Sequence, residues 1–173
     1  MDQTNVRMAR PNEIERARTV LELSYGPYEA VMPAENWTRY RADILDIEGR
    51  TPPSELWVAE RDGDIIGCVS YYPPGAAMSY PSEHPPELWP TEWAAFRLLG
   101  VDPSAAGGGV GRLLTEFCVR RAREQEAPAI GLHTTPFMTV ARAMYQRMGF
   151  ERAERFDFHP APSIIVEAYR MPL

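Results

Sequence analysis

Apolar side chains along this chain fall into two rhythms, and the switches between them mark the elements. In "PNEIERARTVLELSY", Ile14, Ala17, Val20, Leu21 and Ser24 recur at helical spacing behind Pro11, which suits the first turn of a helix. Trp37, Tyr40, Ile44 and Leu45 share one face of a second helix across "AENWTRYRADILDIE", predicted to end near Gly49. "ELWVAERDGDIIGCVSYY" reads as two strands about an Asp62-Gly63 turn, a strong hairpin signal. "WAAFRLLGV" is apolar on both faces and suits a central strand. A third helix runs through "VGRLLTEFCVRRAREQEA", with Val110, Leu113, Leu114, Phe117 and Cys118 inward and arginines outward until Pro128 ends it. "AIGLHTT" is another interior strand, Pro136 opens a turn into the helix "TVARAMYQRM", and Gly149 is placed to stop it with a left-handed cap. The chain starts with a short edge strand, "NVRMARP", and ends with two strands, "FERAERFDFH" and "SIIVEAYRMPL", split by "PAP". Between residues 73 and 90 six prolines forbid any regular element, so that segment is predicted to be an ordered long loop.

Composition narrows the classes. A chain of 173 residues with 45% hydrophobic content can bury one sizeable core, so a single domain over residues 1–173 is expected. No run approaches the roughly 18 apolar residues of a membrane helix, and "MDQTNVRMARPNE" lacks the build of a signal peptide, which together imply a soluble, cytoplasmic protein with no membrane partner. Cys68 and Cys118 lie on separate elements and read as ordinary buried thiols. The net charge of −6 argues against a nucleic-acid partner and leans toward cationic or neutral ones. No repeat or linker divides the chain.

The densest chemical signal is "GVDPSAAGGGVGRLL", residues 100–114, where a strand runs through glycines into a helix. Backbone N–H groups converge at such a junction with the positive end of the helix dipole behind them, which makes an anion site. Gly107, Gly108, Gly109 and Gly111 remove the Cβ atoms that would hold a phosphate away and permit the positive φ that a nest of amides requires. A tightly packed turn is the other reading of the same glycines. A P-loop is excluded, because Arg112 and Leu113 stand where lysine and a hydroxyl residue are needed. The dinucleotide pattern fails as well, since its third glycine would fall at or beside Arg112.

The run Ala106-Gly107-Gly108-Gly109-Val110-Gly111 resembles the acetyl-CoA motif of the GNAT superfamily of N-acetyltransferases, and "LLGVDP" resembles the strand that leads into it. "VARAMYQRMGF" is similar to the second family signature, a helix carrying a Tyr before Gly-Phe. The resemblance covers residues 5 to 171 and implies an α/β (α+β) fold: a mixed, mostly antiparallel central sheet, splayed between two parallel middle strands, with helices on both faces. It also implies acetyl-CoA held by Leu99, Gly100, Val101, the loop Ala106 to Arg112, Met138, Ala141 and Tyr145. Two departures stand out. Ala106 replaces a usual Gln or Arg, which removes one side-chain contact while the amides remain, and Met138 replaces a frequent Asn but can still pack on the pantetheine arm.

The reaction so implied is direct transfer of an acetyl group to an amine. It needs a base for the amine, a donor for the oxyanion and an acid for the departing thiolate. By resemblance Tyr145 is the acid, although its spacing from Ala141 and Met148 also fits core packing, and the backbone near Leu99 to Val101 serves the oxyanion. The base stays open. Ala95 stands where many members carry Glu; Glu92 at the strand start is the nearest carboxylate, and His133, His84 and Glu83 are further candidates. Tyr25, Tyr28, Met32 and Trp37 are expected around the acceptor, with Tyr80 and Trp89 of the proline loop closing over it and His133 at its edge; Trp37 also reads as core. The expected partner is a small-molecule amine, with homodimers common in the family and no metal implied. Protein N-termini or lysines remain an alternative acceptor. So do a non-catalytic acyl-CoA sensor of the same fold, and an interaction protein whose glycine turn holds nothing.

Overall fold

The computed structural model describes residues 3–80, 82 and 84–173. Eight strands form the sheet, in the order β1 (Asn5–Met8), β2 (Glu55–Arg61), β3 (Asp64–Tyr72), β4 (Ala94–Val101), β5 (Ala129–Thr134), β8 (Ile164–Pro172) and β6 (Glu151–Arg152), with β7 (Phe158–Ala161) also on β8. Every pairing is antiparallel except β4 with β5 at the middle. Helices α1 (Ile14–Tyr25), α2 (Ala34–Leu45) and the single turn α3 (Ile47–Arg50) cover one face; α4 (Val110–Glu124) and α5 (Thr139–Arg147) cover the other. The alternation of strand side chains makes this possible: on β3, Cys68 faces α1 while Val69 and Tyr71 face α4. The sheet class and the helices on both faces are as the resemblance implied.

The β2–β3 hairpin turns on Asp62 and Gly63, at φ 53° and 82°, the paired left-handed residues that a type I′ turn requires. Two elements depart from expectation. The second helix stops at Leu45 because Asp46 leaves helical geometry, at ψ 68°. The buried Arg50 then reaches back to the carbonyls of Asp43, Ile44 and Asp46 at 2.7, 3.0 and 2.8 Å, which satisfies acceptors that a helix end leaves bare. The strand expected over residues 150–159 is broken. Ala153 and the buried Phe156 bend into a 3-10 turn at Glu154–Phe156, leaving β6 and β7 as separate short strands, and Pro160 is tolerated because β7 pairs on one side only.

The feature that positions the site is the brevity of the β4–β5 pairing. It comprises Ala94↔Ile130 and Ala95↔Gly131, after which the strands part. On its other side β4 carries a bulge: Ser70 opposes Arg97 and Cys68 opposes Gly100, so Val69 faces both Leu98 and Leu99. Leu98 takes φ 53°, left-handed backbone that a γ-branched residue adopts only where its surroundings impose it. A bulge bends and twists its strand, here away from β5.

The proline loop folds back under the paired end of the sheet. Trp89 is buried there, 5.6 Å from the stacked ring of Trp93, and lies flat on Gly131 of β5. A Cβ at Gly131 would meet the indole at 2.8 Å, so glycine is required for the loop to seat. Gly131→Ala is therefore expected to cost about 1–3 kcal/mol, read as a lower urea midpoint with altered tryptophan fluorescence. An unchanged midpoint would show that the indole does not need that space.

Candidate active site

Beyond the last β4–β5 rung a groove of about 790 Å³ opens between the strands. Its walls are Leu99 and Val101 of β4, the loop residues Ala106, Gly107 and Gly109 to Arg112, and Met138, Ala141, Met144 and Tyr145 at and along α5. Gly107 and Gly109 take φ of 78° and 77°, and a Cβ on either would meet nothing within 4 Å, so both face open space. The loop thus turns left-handed twice and delivers the chain into α4 with the amides of its first turn unpartnered within the helix. Gly108 behaves differently. Its N–H donates to Ala105 O at 3.2 Å and its Cα faces the Arg61 guanidinium, so it shapes the loop without lining the groove.

On β4, Leu99 O accepts from the Tyr25 hydroxyl at 3.0 Å and Val101 N–H donates to Ser24 Oγ at 3.3 Å. In an extended strand the N–H and C=O of one residue point to the same edge, so the Leu99 N–H also turns toward the parted side. Gly100 turns the other way and packs against Leu21 of α1, outside the groove lining. Tyr145 is 6% exposed and edge-on to Phe96 and Phe150, and its hydroxyl makes no hydrogen bond with the described residues. Burial pushes its phenol well above the ordinary range, so it stays protonated at every physiological pH.

A second, more compact cavity of about 140 Å³ adjoins the groove, and Tyr25, Arg97, Leu98, His133, Thr134 and Met138 line both. Its far walls are the α2 face bearing Asn36, Arg39, Tyr40 and Asp43, the loop residues Tyr80 and Ser82, and the apolar Phe158, Ile164 and Val166. Inside it, Arg97 donates to Asp43 at 2.7 Å and lies 4.5 Å from the centre of the Tyr80 ring. Burial alone would lower the Arg97 pKa, but the Asp43 carboxylate more than offsets it and the guanidinium stays charged.

His133 has both ring nitrogens engaged: Nε2 is 2.9 Å from Phe156 O, and Nδ1 is 2.8 Å from the Tyr80 hydroxyl. A carbonyl can only accept, so Nε2 carries the proton and Nδ1 accepts from Tyr80. Burial depresses the His133 pKa from 6.5 to about 4. The residue braces the loop and has no free lone pair for a substrate.

The structure brings together Tyr25, Tyr28, Leu99, Val101, Ala106, Gly107, Gly109, Val110, Gly111, Arg112, Met138, Ala141 and Tyr145 on the groove, and His133 on both cavities. Other expected residues lie elsewhere. Glu92 sits in the exposed turn before β4, at the paired end of the sheet, and lines neither cavity. Trp37 is core, 6% exposed among the side chains of α1 and α2, because the cavity-facing stripe of α2 is the neighbouring one. Trp89 lies beneath the loop and lines neither cavity, and Tyr80 is the loop aromatic on the compact cavity. His84 is exposed, and Glu83 lies outside the described residues. Arg97 and Asp43 were missed. Arg97 had a signal, being the one charged side chain in "AAFRLLGV", whereas Asp43 meets it only through tertiary packing.

Comparison with known proteins agrees with this geometry. The profile of the acetyltransferase (GNAT) family matches residues 17–150, and the chain belongs to that family. Among curated relatives, the mycothiol acetyltransferase of Thermomonospora curvata is 32% identical over 116 residues, 67% of this chain and 34% of the relative, so the chain spans about a third of the length of such relatives. A Corynebacterium glutamicum structure described as a histone acetyltransferase and related acetyltransferase superposes with TM-score 0.71 at 22% identity, over 99% of this chain and 97% of that one. A GNAT family acetyltransferase of Brucella melitensis in complex with acetyl-CoA superposes with TM-score 0.61 at 20% identity, over 100% of this chain and 90% of that one. These likenesses confirm the fold. Among the described residues no helix is long and apolar enough to cross a membrane.

The depressed His133 pKa has a thermodynamic consequence. Below pH 6.5 the unfolded chain takes up this proton while the native state resists until about pH 4, so stability falls as pH drops through that window. The contribution is up to roughly 3 kcal/mol. Urea unfolding at pH 7 and pH 4.5 should show the loss, and His133→Asn should flatten it; an equal slope in the variant would assign the loss to other groups.

Proposed function

We propose that this chain is an N-acetyltransferase that moves an acetyl group from acetyl-CoA directly to a primary amine, with a small molecule as acceptor. The observation that carries the reading is the shared wall: a groove lined by the glycine loop, Leu99 and Tyr145 adjoins a compact second cavity across Tyr25, Arg97, Leu98, His133, Thr134 and Met138. Relatives named mycothiol acetyltransferase support a small acceptor, and the size of the cavity supports it independently.

The residues present fit the coenzyme. Gly107 and Gly109 open the loop to a diphosphate, the amides that begin α4 face it, and Met138, Ala141 and Met144 offer apolar contact to a pantetheine arm. When bound, acetyl-CoA supplies the reactive thioester. The Leu99 N–H is placed to donate to an acyl oxygen as negative charge builds there. Tyr145, held protonated, is the proton donor to a departing thiolate. No carboxylate among the described residues lines the groove, so the amine loses its proton to water or to Asp43, the one described carboxylate on the acceptor cavity. Transfer is direct. Cys68 and Cys118 are buried in the core with their thiols held protonated, and neither reaches the groove as an acyl carrier.

Tyr145→Phe should lower kcat by about 100-fold with little change in KM for acetyl-CoA. Gly109→Val should instead weaken acetyl-CoA binding, since its φ of 77° is strained for a branched residue and the added methyls enter the groove. Undiminished kcat in the first variant would remove Tyr145 from the mechanism, and the absence of any acetyl-CoA-dependent rise in melting temperature would overturn the reading as a whole.

A further inference from the structure

The groove along α5 differs in charge from the chain as a whole. The protein carries −6 overall, yet the described side chains that line the groove include no carboxylate and three guanidinium groups, those of Arg97, Arg112 and Arg147. Two of the three are already balanced. Arg97 is paired with Asp43 at the compact cavity, and Arg112 donates to Glu116, four residues farther along α4, at 2.7 Å. Arg147 is different. It is exposed in the last turn of α5, and its guanidinium has no hydrogen bond, ion pair or ring contact with a described residue.

Its place along the groove narrows what it can meet. Met138, at the start of α5, lines both the groove and the compact cavity, whereas Arg147 lines the groove alone, about 13 Å farther along the helix axis. Arg147 therefore stands at the end away from the compact cavity. The first turn of α4 meets α5 on this stretch: a Cβ built on Gly111 would lie 3.8 Å from Met144 Sδ, and Arg112 and Arg147 follow that contact by one residue and by just under one turn. Coenzyme A carries a diphosphate and, farther along its covalent chain, a phosphomonoester on the 3′ position of its ribose. The open Gly107 and Gly109 and the amides that begin α4 serve the diphosphate without any side chain. The phosphomonoester, with a charge of about −1.5 to −2 at pH 7, needs a partner beyond them.

We infer that Arg147, with Arg112 beside it, takes the 3′-phosphate of coenzyme A, so that the chain selects the phosphorylated coenzyme over its 3′-dephospho form. A planar guanidinium offers a phosphate two parallel donors. Arg112 stands in the first turn of α4, where the helix dipole disfavours a cation, and a phosphate beside it relieves that repulsion. Exposure limits the gain, because water and salt screen a pair in this position, so the selectivity is about five- to tenfold and no more. Arg147 also faces the negative end of the α5 dipole, a contribution to the helix that is present with no coenzyme bound. The two roles are separable, since only one of them depends on the phosphate of the ligand.

This inference rests on the acetyltransferase reading, which puts coenzyme A in the groove, and the test separates the two. Calorimetry would measure the binding of coenzyme A and of 3′-dephospho-coenzyme A to the unaltered chain, to Arg147→Gln and Arg147→Lys, and to Arg123→Gln, which removes an equal charge at the far end of α4, outside the groove lining. We expect the unaltered chain to bind coenzyme A about five- to tenfold more tightly than the dephospho form, and Arg147→Gln to lose most of that ratio while binding the dephospho form as before. Arg147→Lys should keep part of the ratio, as a point charge does, and Arg123→Gln all of it. In the unaltered chain the ratio should shrink at about 0.5 M NaCl. Melting temperatures without ligand report the helix contribution: an Arg147→Gln variant that melts earlier yet keeps the ratio would assign the residue to the helix alone and overturn the inference. Equal affinity of the unaltered chain for the two coenzymes would overturn it as well and leave acetyl transfer standing, as would an equal loss of the ratio in Arg123→Gln. Failure to bind either coenzyme would overturn the reading beneath it.

Discussion

Two rungs of backbone pairing join β4 to β5, and the site depends on where they stop. Had the parallel pairing continued, the edges of Leu99 and Val101 would be sealed against β5 and the sheet would have no opening. The bulge at Leu98 turns the strand instead, and α1 occupies part of the freed edge by giving Tyr25 and Ser24 to Leu99 O and Val101 N–H. What remains open faces Tyr145 on one side and the glycine loop on the other. The strain of one left-handed leucine is thus coupled to a groove, which is the usual relation between backbone irregularity and function.

A second layer of organisation supports the compact cavity. Trp89 anchors the proline loop on Gly131, which brings Tyr80 over Arg97 and onto His133 Nδ1. His133 in turn ties the loop to Phe156 O. Arg50 closes the end of α2 through three carbonyls and so holds Asp43 toward Arg97. These contacts are local and directional. Their combined effect is to hold a charged pair against a cavity whose opposite wall is apolar, an arrangement that costs desolvation.

Much was legible without coordinates, because the features concerned are written in local chemistry. The hairpin at Asp62-Gly63, the left-handed stop at Gly149 and the strand-glycine-helix junction at residues 107–111 each follow from what individual residues permit. The second helix and the penultimate strand were less legible. Asp46 ends the helix with help from Arg50, and Phe156 interrupts the strand by turning inward, both of which are decided by neighbours distant in sequence.

The site divides in the same way. Sequence alone pointed to an anion site, since bare amides at a helix start are a matter of short-range geometry, and the class of chemistry came with the resemblance carried by residues 106–111 and by Tyr145 before Gly149-Phe150. Only the tertiary structure decided which charged groups line the compact cavity: it withdrew Glu92 to an exposed turn, committed both nitrogens of His133, and joined Asp43 to Arg97, 54 positions apart in the chain. Charge partners in a folded interior are chosen by packing and desolvation, and neither is encoded within any one stretch of residues.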